Sequence, residues 1–176
     1  MPADDPIRKL ALAAIDADRQ IDVLLSPVEG GGPLAISTLF RYVNDPGFEL
    51  SDDAARRLAE HPAAMADLER LIAQSALVHL PTLAAAASDK VTRRETEHAI
   101  ILMTPSRTDP AQVYLSIDMV DPAARQPTHL FAGLPGSDWH KLALPPLAGA
   151  RAQVLLEAGH PIFTILGNPQ SVVYLR

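Results

Sequence analysis

The spacing of hydrophobic positions along the chain changes near residue 96. Before it, apolar residues recur three and four positions apart, which is typical of one face of an amphipathic helix. Four segments show this spacing: "PIRKLALAAIDADRQ", "LAISTLFRYV", "DDAARRLAE" and "PAAMADLERLIAQSALVHL". After it, apolar residues come in short runs with Pro or Gly in or beside the gaps, as strands and turns do.

Turn and capping residues predict where the helices begin and end. The Pro-Gly turn in "NDPGFEL" ends the second of the four segments. Ser51 is placed to cap the third, and Asp52 and Asp53 would favour its dipole. This helix should end before Pro62, which can open the next helix. The Ala-rich stretch "PTLAAAASDKVTRRETE" is interpreted as a last helix or a helical linker.

The second half predicts seven strands. They are "HAIILMTP", "AQVYLSIDMV", "THLFAG", "HKLALP", "ARAQVLLEA", "PIFTIL" and "SVVYLR", and the last two form a hairpin around Gly167–Pro169. Seven short strands in this length favour a β-sandwich or a partly open barrel. We therefore predict an α+β protein with a helical domain at 1–95 and an antiparallel, sandwich-like β domain at 96–176.

Composition and charge exclude several classes of function. The 176 residues contain no cysteine, which excludes disulfides, thiolate nucleophiles and cysteine-ligated zinc. The net charge is −6, so the chain has no general basic surface for nucleic acid or an anionic membrane. The N-terminus lacks the pattern of a secretory signal, and no apolar run is long enough to span a membrane. We expect a cytoplasmic protein.

One helical stretch resembles a known family. The sequence "ISTLFRYVNDPGFELSDDAARRLAEHPAAMADLERLIAQ" (36–74) is similar to the anti-sigma domain of bacterial regulators of extracytoplasmic-function sigma factors. His61 falls at the family's histidine, but Met65 and Leu68 stand where its two cysteines would be. Because one histidine cannot hold zinc, the resemblance implies the zinc-free type, with apolar side chains filling the metal's space.

The resemblance implies a function by protein contact. Such a domain wraps its helices around a sigma factor and blocks its polymerase-binding surface. We therefore expect a non-enzymatic regulator with no cofactor and no metal, whose β domain senses a signal or docks a partner. The expected contact residues are apolar and aromatic, namely Leu39, Phe40 and Tyr42 in the helical half and Trp139 in a loop.

Two alternatives concern the stretch "GLPGSDWHK", which holds the only tryptophan. In the first, the protein is a small hydrolase using Ser137, Asp138 and His140, which must then lie within hydrogen-bonding reach in a pocket. The stretch lacks the G-x-S-x-G motif, and a strand rather than a helix is predicted after it. In the second, the β domain binds a small ligand or a carbohydrate, which requires a concave surface beside Trp139.

Other polar groups are weaker candidates. His129, His140 and Asp138 could form a metal site assembled in space. Asp118 and Asp121 could act as an acid–base pair, although a solvated side chain and a turn cap are the simpler interpretation. The "EGGGP" stretch lacks the Lys and Ser/Thr of a phosphate-binding loop. The pairs Arg56-Arg57 and Arg93-Arg94 could form ion pairs with Asp52, Asp53 or Glu60 at helical spacing.

Overall fold

The computed structural model describes residues 34–83, 91–121 and 126–176. Within these residues there are four helices: α1 (Ile36–Asn44), α2 (Asp52–Glu60), α3 (Pro62–Ser75) and α4 (Pro161–Leu166). There are eight strands: β1 (Val78–Leu80), β2 (Arg93–Glu95), β3 (Ala99–Pro105), β4 (Gln112–Met119), β5 (His129–Gly133), β6 (Trp139–Ala143), β7 (Arg151–Glu157) and β8 (Val172–Leu175). The protein is α+β. The helix predicted in "PIRKLALAAIDADRQ" and the "EGGGP" loop lie outside the described residues.

The strands form two four-stranded antiparallel sheets. Sheet I has the order β1-β8-β5-β6, and sheet II has the order β2-β3-β4-β7. Sheet II is built mainly from neighbours in sequence, such as β3 and β4, whereas β8 lies between β1 and β5 in sheet I. The last strand therefore completes sheet I between segments far from it in sequence.

The two sheets pack face to face across an apolar core. Each contributes the side chains of one face, because successive residues of a strand point to opposite sides. Helix α4 adds Ile162, Phe163 and Leu166 to the same core. The buried core residues of the sheets are Val78, Leu80, Ala99, Ile101, Leu115, Ile117, Met119, Leu130, Ala132, Ala152, Val173 and Leu175.

Helices α1–α3 cover the outer face of sheet I and form a second core there. This core contains Leu39, Val43, Leu68 and Ile72 from the helices together with Phe131 from β5. Strand β5 is consequently buried on both faces: Leu130 and Ala132 belong to the core between the sheets, while Phe131 belongs to the helical side. The helices and sheet I thus share one hydrophobic interior.

The predicted helix boundaries are confirmed where local chemistry sets them. The Ser51 hydroxyl accepts the N–H of Ala54, and the next two residues are acidic. Helix α2 ends at Glu60, and Pro62 is the first residue of α3. Proline is suited to this position because the missing N–H has no partner within the helix and its φ is already helical.

The prediction of a helical half followed by an all-β half is wrong at two elements. Val78–Leu80 was expected to continue a helix but pairs with β8 as β1. Arg93–Glu95, expected to be helical, is β2 at the edge of sheet II. Strands β2 and β3, on either side of residue 96, pair with each other, and α1–α3 span residues 36–75, in the middle of the chain.

The predicted terminal hairpin is also wrong, because residues 161–166 form helix α4. Pro161 occupies the first turn, and the His160 side chain accepts the N–H of Ile162. The helix buries Ile162, Phe163 and Leu166 in the core between the sheets. A six-residue apolar run fits a strand or a helical turn equally well, so its period could not distinguish them.

A buried arginine fixes the end of α4. The guanidinium of Arg94 donates hydrogen bonds to the carbonyl oxygens of Leu166 at 3.0 Å, Ser171 at 3.1 Å and Asn168 at 2.5 Å. Burial lowers the pKa of Arg94. The expected ion pair is therefore wrong for Arg94, whereas Arg93 is exposed and pairs with Glu95 at 2.7 Å. For the pair Arg56-Arg57 the expected ion pair is confirmed, since Arg56 contacts Asp53 at 2.5 Å.

Candidate partner-binding site

The four expected contact residues occupy different environments. Leu39 and Tyr42 are buried in the core between α1–α3 and sheet I. Phe40 faces outward from α1 with 57% of its surface exposed, and Trp139 is half-buried at the start of β6. In this fold, Phe40 and Trp139 can touch a partner directly, whereas Leu39 supports the helix from below and Tyr42 reaches solvent only through a cleft.

Trp139 joins the β5–β6 turn to α3. Its indole N–H donates to a carboxylate oxygen of Glu69 at 3.2 Å, and the N–H of Gly136 donates to the same oxygen at 2.7 Å. The indole also packs against Tyr174, with ring centroids 5.6 Å apart. The stretch forms a turn with Gly136 at φ +73°. The Glu69 carboxylate caps the backbone amide of this turn.

Gly133 lets the indole approach the sheet. A Cβ atom at this position would lie 2.8 Å from Cδ2 and 2.9 Å from Cε3 of Trp139. Real Cβ atoms do not come so close to a ring, so a side chain would displace the tryptophan. Glycine here is thus part of how the half-buried indole is positioned.

A cleft of about 310 Å³ lies between the helical layer and the start of β6. Its lining is mostly apolar, with Trp139 as one wall and two carboxyl-bearing residues among the lining groups. The lining residues are Tyr42, Glu49, Leu50, Ala55, Leu58, Ala59, Met65, Asp138, Trp139 and His140. The concave surface that the ligand-binding alternative required beside Trp139 is therefore present, although helices form much of it.

Tyr42 places an unpaired hydroxyl group in this cleft. Only 5% of the residue is exposed, yet no described residue forms a hydrogen bond with the hydroxyl. Among the described residues, the fully buried side-chain polar atom without a partner is Nε of Arg176, so the Tyr42 oxygen keeps contact with solvent. Burial and then the nearby Glu49 carboxylate raise the pKa of Tyr42, so the phenol stays protonated.

Three basic side chains from the sheet I side hold the C-terminal end of α1. His129 Nε2 lies 2.9 Å from the carbonyl oxygen of Val43, and Arg176 contacts both the carbonyl and the side-chain oxygen of Asn44. Lys141 Nζ donates to the carbonyls of Asp45 at 2.7 Å and Phe48 at 2.8 Å. Cations are favourable here because the last carbonyls of a helix carry partial negative charge.

Burial lowers the pKa of each of these three basic groups. For His129, desolvation is the main cause, and the charges of Lys141 and Arg176 lower the pKa further while the bond to Val43 opposes them. Desolvation is likewise the main cause for Lys141 and Arg176. No pattern in the sequence points to this arrangement, because its three residues come from β5, β6 and the C-terminus.

The hydrolase alternative does not obtain the geometry it needs. Ser137 and Asp138 are exposed in the turn, and no hydrogen bond joins the side chains of Ser137, Asp138 and His140 to one another. His140 lies opposite Ala132 in the β5–β6 pairing and lines the same cleft as Asp138 and Trp139, whereas Ser137 is not among the residues that line it.

The remaining polar candidates have structural partners. His129 is fully buried and also bonds Thr128 through Nδ1 at 2.9 Å. Asp118 accepts two hydrogen bonds from Arg151, at 2.5 and 2.9 Å. Within residues 34–83, 91–121 and 126–176, no group of three or more His, Cys, Asp or Glu side chains could hold a metal ion.

The helical layer also presents an apolar surface. Ile36 and Phe40 are four residues apart on α1 and are 55% and 57% exposed. A second cleft of about 320 Å³ lies between α1 and α2. We call Ile36 and Phe40 the α1 apolar face.

Comparison with protein-family models, with curated proteins and with solved structures finds no match for this chain. The resemblance of residues 36–74 to an anti-sigma domain therefore stays a prediction. Met65 and Leu68, at the positions of the family's cysteines, are buried in the core between α1–α3 and sheet I.

None of the described helices is long and apolar enough to cross a membrane.

Proposed function

We propose that this protein is a non-enzymatic regulator that binds another protein through its helical layer, and that its partner is a sigma factor. The observation that carries the proposal is the α1 apolar face. Most outward side chains of a stable helical layer are polar, yet Ile36 and Phe40 stand next to each other and more than half exposed. Large apolar residues in such a position are suited to anchor a partner.

The packing of the helices supports the same proposal. Leu39 and Val43, on the inner face of α1, are anchored in the core shared with sheet I. The end of the helix is fixed by His129, Lys141 and Arg176. The apolar face is thus presented by a rigid helix, and a rigid surface loses little conformational freedom on binding.

The choice of a sigma factor comes from the resemblance of residues 36–74. The buried Met65 and Leu68 are consistent with a zinc-free version of that domain, because they provide apolar packing where the family has metal ligands. A regulator of this kind would act in the cytoplasm, where RNA polymerase is. The two sheets would then form the module that senses a signal or docks a further partner.

Affinity purification from the native host, followed by mass spectrometry, tests the proposal. Wild-type protein should retain a sigma factor, and Phe40→Glu should bind the purified sigma factor at least about tenfold more weakly. Leu155→Glu is the matched control, because Leu155 is a 43% exposed leucine on sheet II, away from the helices. A wild-type protein that retains no sigma factor, or a Phe40→Glu variant that binds as well as wild type, would show that the proposal is wrong.

The ligand-binding alternative is favoured by one specific observation, the cleft beside Trp139. Its lining combines apolar side chains with Glu49, Asp138 and the Tyr42 hydroxyl. Gly133 packs against the indole ring of Trp139. The carboxylates and the hydroxyl group in the cleft suit a positively charged ligand better than a sugar.

A further inference from the structure

We propose that the cleft beside Trp139 binds an arginine side chain, supplied by the partner protein. This inference rests on the proposed function for the source of the arginine. The binding chemistry of the cleft itself depends only on the residues that line it.

The Tyr42 hydroxyl is the first observation behind this proposal. The hydroxyl group of a largely buried tyrosine usually has a partner, which is either a protein group or water. Tyr42 is 5% exposed, lines the cleft and has no hydrogen-bond partner among the described residues. A ligand group in the cleft could supply the missing bond.

The charge of the lining is the second observation. Glu49 and Asp138 line the cleft and are exposed at its mouth, and no lysine or arginine lines it. The nearest cation, Lys141, is 4.9 Å from the Tyr42 ring centroid and donates to the carbonyls of Asp45 and Phe48. A positively charged ligand would therefore meet carboxylates at the mouth of the cleft. The ammonium group of Lys141 is already hydrogen-bonded to carbonyl groups in the turn after α1.

The shape of the lining favours arginine among cations. Leu58 and Met65 provide apolar surface for the methylene groups of the side chain. The guanidinium group has only donors, so it can pair with the Tyr42 oxygen and with Glu49 at the same time. Its flat face can also pack on the indole of Trp139, which an ammonium group does less well.

Trp139 is the only tryptophan of the chain and lines the cleft, so a change in tryptophan fluorescence reports on binding there. Nα-acetyl-L-arginine amide is titrated into the full-length protein while the intrinsic fluorescence of Trp139 is recorded. We expect a saturable change. Nα-acetyl-L-citrulline amide has nearly the same shape without the charge and should produce no saturable change, and the lysine analogue should bind more weakly.

Two variants test the residues. Glu49→Gln should weaken binding of the arginine amide roughly tenfold, and Tyr42→Phe should weaken it by roughly fivefold, because each removes one bond to a charged group. Glu157→Gln, an exposed carboxylate on sheet II, is the matched control and should bind as wild type does. Tyr42→Phe should fold, since no described residue pairs with the hydroxyl group. If Tyr42→Phe does not fold, the binding measurement on Glu49→Gln tests the proposal by itself.

The proposal is overturned if the arginine amide gives no saturable change, if the citrulline amide binds equally well, or if Glu49→Gln binds as tightly as Glu157→Gln. These results are distinct from those of the sigma-factor experiment. Arginine-amide binding without sigma-factor capture would leave the cleft proposal standing and remove the proposed function. Sigma-factor capture without arginine-amide binding would leave the proposed function standing and overturn the cleft proposal.

Discussion

A single carboxylate oxygen of Glu69 accepts hydrogen bonds from the indole of Trp139 at 3.2 Å and from the backbone of Gly136 at 2.7 Å. Glu69 lies on α3 and Trp139 begins β6, so the pair joins the helical layer to the edge of sheet I. Trp139 in turn lines the cleft.

Replacing Glu69 by Ala should lower the free energy of unfolding by about 1–2 kcal/mol, because two hydrogen bonds to a partly buried carboxylate are lost. Urea denaturation followed by circular dichroism measures the change. Asp67→Ala is the control on the same helix. Its exposed pair with Arg70 should contribute less than about 0.5 kcal/mol. Equal losses in the two variants would contradict the role given to Glu69.

Gly133→Ala should destabilise the protein by about 1–3 kcal/mol, because the added Cβ would overlap the indole ring of Trp139. In the background of Trp139→Ala the same substitution should cost much less, since the clash is removed. A double-mutant cycle of urea unfolding measures this coupling. Gly159→Ala, where a Cβ would meet nothing within 4 Å, is the neutral control. Additive effects of the two substitutions would argue against the clash.

Arg94→Ala should lower stability by about 3 kcal/mol or more, because several buried hydrogen bonds to carbonyls at the end of α4 are lost together. Arg94→Lys should recover only part of this loss, since an ammonium group cannot reproduce the planar set of donors. The neighbouring Arg93→Ala should change stability by less than about 0.5 kcal/mol, because its pair with Glu95 is exposed. Thermal and urea unfolding of the three variants give the comparison.

Stability should fall as the pH is lowered through the range in which free histidine takes up a proton, about 6.5. Burial lowers the pKa of His129 in the folded protein, so the unfolded chain binds the proton more tightly there. The contribution of His129 is thus fully present above the pKa of the unfolded state and is lost as the pH falls through the folded pKa.

Urea midpoints between pH 5.5 and 7.5 measure this dependence. His129→Gln should flatten the curve, because glutamine does not titrate and can still donate to the Val43 carbonyl. His98→Gln, at a largely exposed histidine beside Glu97, is the control substitution. A His129→Gln variant with the slope of wild type would show that another group controls the pH dependence.

Local chemistry made part of this fold predictable. Ser51 and Pro62 set the limits of α2 and α3 through capping and through the backbone geometry of proline. Six of the seven predicted strand segments contain a strand, because apolar runs bounded by Pro and Gly are a reliable signal. The turn before Trp139 likewise follows from local chemistry, since Pro135 and Gly136 favour a turn.

Short apolar segments were not predictable in the same way. Residues 161–166 and 78–80 have no period long enough to choose between helix and strand, and their final form depends on what they pack against. The first became α4 because it closes the core between the sheets, and the second became β1 because β8 offers it an edge. The sequence alone could not show these packing partners, because they lie far from the two segments along the chain.

The sequence by itself determined where α2 begins, where α2 gives way to α3, the α+β class and the chemistry that an absence of cysteine rules out. Only the tertiary structure decided that Arg94 is buried while Arg93 is exposed, and that Phe40 faces outward while Tyr42 opens into a cleft. The reason is physical. Capping and turn preferences act between neighbouring residues, whereas burial and the pairing of polar groups depend on which distant segments close over each side chain.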